Sequence, residues 1–197
     1  MLRPSVEPIR FAALGAGTCA LGLAILSSYV WSVGSVGNGV ASSLGALGFA
    51  LLALALWQPE RPDTLLRAGA GIAIVAVSRL VSTAAWGAQG NAENALRSML
   101  TLFAFVPAAV LWLGAARGRF PVGRAVLALR YGSLAGAFLA AYVLWSLLDG
   151  APGPLVLGFA TWAIGLVVLS LYIETPRSHA IGLVPAAPEN PARLLGS

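Results

Sequence analysis

Apolar residues come in six long runs, at 11–31, 39–57, 68–88, 96–115, 125–148 and 154–173, separated by short polar breaks. Each run is close to the ~20 residues an α-helix needs to cross the hydrocarbon core of a bilayer. None shows the two-residue alternation of a barrel strand. Backbone in hydrocarbon must satisfy its own hydrogen bonds, so the pattern predicts an all-α protein, a polytopic bundle of six transmembrane helices. One transmembrane domain over 1–174 accounts for all six runs. The remaining stretch, 175–197, carries Pro176, Pro185, Pro188 and Pro191 and reads as a poorly ordered tail. Arg3 and Arg10 precede the first run as they would in a signal peptide. That run ends in Tyr29 and Trp31 rather than in small residues fit for cleavage, so a retained helix is expected.

Composition supports a lipid environment. Hydrophobic residues make up 58% of the 197 and charged residues 10%, against about 25% charged in soluble domains. The net charge of +5 comes from arginine alone, there being no lysine. In a soluble chain that excess suggests nucleic acid. Here the arginines flank apolar runs, and no nucleic-acid partner is expected. Arg3, Arg10, Arg61, Arg67, Arg117, Arg119, Arg124, Arg177 and Arg193 fall on one side of the alternating topology, with only Arg97 on the other. The positive-inside rule then puts both termini in the cytoplasm, with the chain in the cytoplasmic membrane of a bacterial cell. Trp31, Trp86 and Trp145 mark the outer helix ends, and Trp57 and Trp112 the inner ones, as an aromatic belt would.

Without a hydrophobic force between helices in lipid, association relies on close packing at small residues. The fifth run offers Gly132, Gly136 and Ala140 on one face, and Ser133, Ala137 and Ala141 beside them. The sixth offers Gly158, Thr161 and Gly165, and the third Gly69, Ala73 and Ala76. Pro107 bends the fourth helix and frees a carbonyl near Phe103.

Arg79 is the exception to the pattern. At 1.5 Å per residue it lies roughly 18 Å from Arg67 and roughly 15 Å from Gln89, near mid-membrane. A central arginine costs about 2.5–3.5 kcal/mol to insert, so a compensating contact is expected. Arg79 shares a helix face with Ala76, Ser82, Thr83 and Trp86, opposite Ile74, Val77 and Val81, and should point inward. Asp149, Glu93 and the carbonyl freed by Pro107 are the acceptors within reach of a structural staple. The functional alternative is an anion, a lipid headgroup or an acidic partner group. The candidate polar site is therefore Arg79, Ser82, Thr83 and Asp149. Arg130, only about 9 Å from Arg124, is placed to snorkel to the headgroups.

The same inventory excludes most chemistry. The single histidine, His179, lies in the tail, so no HExxH zinc site or intramembrane haem ligand exists. Cys19 is alone and reads as a buried hydrophobe. No carboxylate lies within a span to couple ion transport. Neither catalysis nor a cofactor or metal is expected. The expected function is that of an accessory, scaffold or assembly subunit packed against lipids, pigments or other membrane protein subunits. The alternatives are a small passive transporter or channel, drawing on the polarity of Asn38, Ser42 and Ser43, and the membrane half of a sensor.

Overall fold

Each apolar run becomes a helix, and all six helices begin earlier than their runs. The computed structural model describes residues 7–148 and 150–173; the proline-rich stretch 175–197 lies outside them. Among the described residues there are six α-helices and no strand: α1 (Glu7–Ser32), α2 (Val36–Trp57), α3 (Thr64–Ala88), α4 (Ala92–Ala116), α5 (Val122–Leu147) and α6 (Gly153–Tyr172). All six are long and apolar enough to cross a membrane. The added residues are mainly first turns. The N–H groups there have no intrahelical partner, so polar residues and side-chain caps are favoured. At α4 the Asn91 side chain accepts from the Asn94 N–H at 3.0 Å. At the other ends, Gly34 (φ 76°) and Gly90 (φ 72°) take the left-handed conformation that closes α1 and α3. The next residue then donates back into the last turn, Ser35 to the Val30 carbonyl and Asn91 to that of Trp86.

The helices form a closed ring. Each packs against its two neighbours along the chain, and α1 packs against α6. Short connections make successive helices antiparallel. One end of the ring, called proximal here, gathers the start of α1, the finish of α6 and Arg10, Arg61, Arg67, Arg117, Arg119 and Arg124. Among the described residues the distal end carries one arginine, Arg97.

Glycine sets the closest approaches. Gly15 and Gly22 of α1 face Gly165 and Gly158 of α6. A β-carbon on Gly22 would stand 2.6 Å from the Trp162 nitrogen, and one on Gly15 2.6 Å from that of Leu169. Gly48 of α2 and Gly71 of α3 make a similar pair, each β-carbon position 2.7 Å from the other's carbonyl oxygen. On α5, Gly132, Gly136 and Ala140 are all buried within the bundle. Gly132 lies against the Ala104 carbonyl of α4, and Gly136 against Leu166 and the Phe105 ring. The parallel series does not continue, because Ala141 is exposed.

The proximal half of the ring is filled. Phe49 of α2 and Phe105 of α4 meet edge to face across the interior, their centroids 5.8 Å apart. Below them Trp112 is fully buried and donates its indole N–H to the Ala125 carbonyl at 2.9 Å. Trp112 is therefore a core residue tying α4 to α5 rather than part of an aromatic belt. Arg130 does not reach outward either. Its guanidinium donates to the Ile173 carbonyl at 2.9 Å, closing the C-terminus of α6, where a cation also suits the helix dipole.

The glycine contacts give a paired prediction. Gly22→Ala forces backbone apart and should cost about 1–3 kcal/mol as an overpacking change. Gly17→Ala, with nothing within 4 Å of its β-carbon, should instead stabilise α1 by up to about 1 kcal/mol. Thermal unfolding of both variants in detergent checks the opposite signs.

Candidate functional site: a blind chamber in the distal half

Above the Phe49–Phe105 layer the centre of the ring is not filled by side chains. A cavity of about 330 Å³ occupies the distal half and is lined by residues of all six helices. Burial runs along its depth. Val33 at the rim is 57% exposed, whereas Leu23, Arg79 and Trp162 at the floor are buried. The chamber therefore opens at the distal end and stops at the aromatic layer.

Its walls differ in character. Asn38 and Ser42 come from α2, Arg79 and Ser82 from α3, Ser98 and Thr101 from α4. Leu139 and Val143 of α5, Leu155 and Phe159 of α6, and Leu23 and Leu26 of α1 make the opposite wall. A polar half, α2 to α4, thus faces a mainly apolar half, α1 with α5 and α6, whose polar groups are Tyr29, Ser146 and the unpartnered indole N–H of Trp162.

Arg79 is 8% exposed. Its guanidinium lies 5.3 Å from the centroid of the Trp162 ring, directly across the bundle. Its Nε donates to the Ser78 hydroxyl at 3.1 Å. The absence of a side chain at Gly45 makes room for it: a β-carbon there would stand 3.1 Å from one terminal amino group. Among the described residues no carboxylate lies within 4.0 Å of it. Glu93 is taken by Arg97, whose guanidinium also donates to Asn94 Oδ1 at 3.2 Å and lies over Tyr142. The carbonyl freed by Pro107 is not used by Arg79 in any hydrogen bond.

Of the other residues picked out from the sequence, Ser82 lines the chamber and shares a hydrogen bond of 3.1 Å with Ser98. Thr83 does not join them. Its hydroxyl turns back to the Arg79 carbonyl at 2.8 Å, the habit of threonine inside a helix. Asp149 lies outside the described residues. Ser43 leaves the polar wall to bond Ser27 of α1 at 2.7 Å. Trp86 lines the chamber as well as standing near a helix end. Sequence reasoning missed Trp162, Ser98 and Thr101, because a contact across the ring has no periodic signature within either helix. Asn38 Oδ1 is buried without a hydrogen-bond partner, a group open to a ligand or water.

Among the described residues Arg79 is held by the Trp162 ring and the Ser78 hydroxyl rather than by a carboxylate. A desolvated cation–π contact contributes about 2 kcal/mol and the bond to Ser78 about 1 kcal/mol. These offset the ~2.5–3.5 kcal/mol cost of a central arginine almost completely. Arg79→Met should therefore change unfolding stability in detergent by no more than about 1 kcal/mol, whereas loss of a true staple would lower it by several.

Comparison of the chain with protein-family models, with curated proteins and with solved structures finds no match, so the meaning of the chamber rests on its own geometry.

Proposed function

We propose that the protein is a non-catalytic multi-pass membrane protein that binds a small solute in its distal chamber. The observation that carries this reading is the enclosure. Six helices contribute to one cavity that is open at one end, closed at the other by the Phe49–Phe105 layer, and more polar on the α2–α4 side than on the other. A cavity of this size stands at the small end of small-molecule sites. A continuous pore does not fit the aromatic layer, so binding, or one closed state of a carrier, is favoured over a passive channel.

The arginine distribution supports cytoplasmic placement of the proximal end, which turns the chamber's mouth to the opposite face of the membrane. The solute then enters from outside the cytoplasm. A second role, docking to another membrane subunit, is favoured by one feature. Tyr131, Phe138, Tyr142 and Trp145 form a single exposed stripe on the outer face of α5, Trp145 being 76% exposed. Stoichiometric co-purification of a second membrane protein would support that role.

Accessibility labelling tests the main reading. In a Cys19→Ala background, Ser42→Cys should react with a small membrane-impermeant thiol reagent added to the non-cytoplasmic face of sealed vesicles. The native Cys19, fully buried at the α1–α6 contact, should stay unreactive until the bundle unfolds. A Ser42→Cys thiol that is shut from both faces, or reached only from the cytoplasmic one, overturns the proposal.

A further inference from the structure

We infer that the chamber's ligand is a small monocarboxylate with an apolar body, its carboxylate bound by Arg79. The inference rests on the binding role proposed above and specifies its substrate class. The charge of the chamber wall fixes the first part. Two cations reach the cavity, Arg79 and Arg97. Arg97 is neutralised by its ion pair with Glu93. Arg79 is nine-tenths buried, and its one hydrogen bond uses Nε, leaving both terminal amino groups unbonded. No acidic residue stands in the interior of any helix to serve it. Among the described residues one positive charge is therefore left over at the chamber wall, enough to balance one negative charge.

The shape of the free donors decides the second part. A guanidinium bound through Nε to its own helix presents its terminal nitrogens as a fork, which matches a carboxylate. The Ser82–Ser98 hydroxyl pair stands on the same wall as a further hydrogen-bonding surface. Opposite lies the aliphatic and aromatic wall of α5 and α6, with Leu139, Val143 and Phe159. A carboxylate at Arg79 thus leaves the rest of the molecule against apolar side chains. The Phe49–Phe105 layer limits its depth. Such a ligand comes either as a free short-chain or aromatic acid or as a fatty acid released from lipid.

Protection of the Ser42→Cys thiol tests the assignment with named probes: 4-phenylbutyrate, its neutral counterpart 4-phenylbutanol, and palmitate. Charge-assisted hydrogen bonds contribute about 1.5–3 kcal/mol, so half-protection by the acid should need at least about tenfold less ligand than by the alcohol. Adding Arg79→Met should erase that difference. Stronger protection by 4-phenylbutyrate than by palmitate identifies a water-borne acid, and the reverse a lipid-derived one. If alcohol and acid protect equally in the arginine-containing protein, the carboxylate assignment falls while the chamber stands. That comparison decides the matter even if the Arg79→Met protein fails to fold. If Ser42→Cys is never labelled, the chamber itself has failed and the assignment goes with it.

Discussion

The fold depends on backbone meeting backbone between α1 and α6. Five of the six helix contacts join neighbours along the chain and need only a short connection. The sixth joins elements separated by most of the sequence, and it alone turns a curved row of helices into a ring. Gly15, Gly22, Gly158 and Gly165 permit it, because any β-carbon at Gly15, Gly22 or Gly165 would stand within 3.0 Å of the facing backbone. In an apolar solvent, where burial of oily surface offers little, that proximity is what dispersion attraction needs. Without closure there is no inside, and the polar residues of α2, α3 and α4 would face the surroundings.

Once closed, the ring is divided by side-chain size. Toward the proximal end Phe49, Phe105 and Trp112 fill the axis, while toward the distal end serines and a threonine of α2 to α4 stand apart from the leucines, Val143 and Phe159 of the opposite wall and leave a cavity between them. Arg79 sits at the boundary. It is stacked on an aromatic ring from the far wall and bonded to its own helix, an arrangement that keeps the cation folded in without neutralising it. A buried charge held at near-zero net stability contributes little to the fold.

Much of this was legible in the residues. All six helices lie where the apolar runs lie, since span length and backbone satisfaction leave one solution. The inward turn of Arg79 is expected from the small, polar face it shares with Ala76, Ser82, Thr83 and Trp86, opposite Ile74, Val77 and Val81; in the structure Arg79 is buried and Val77 exposed. The small face of α5 was readable too, though not which helix it meets. Other features were hidden for physical reasons. Trp112 resembles a belt tryptophan by position, and only the fold shows its indole N–H meeting α5. Arg130 has the spacing of a snorkelling residue, but the carbonyl it bonds belongs to a helix whose position is set by ring closure. The counter-ion expected for Arg79 in Glu93 was captured by Arg97 one turn away. The chamber belongs to no single segment, so no local pattern announces it.

Ring closure also sets an order of events. Phe11 and Tyr172 lie against each other at the proximal end, their rings 5.2 Å apart. α6, made after the other five, is therefore the helix that completes the circle with α1. During synthesis a five-helix nascent chain exposes the glycine face of α1 with nothing seated on it. Arg79 has as yet no Trp162 to stack upon. Such an intermediate is the form on which membrane quality control would act, and truncation before residue 153 would leave the protein permanently in that state.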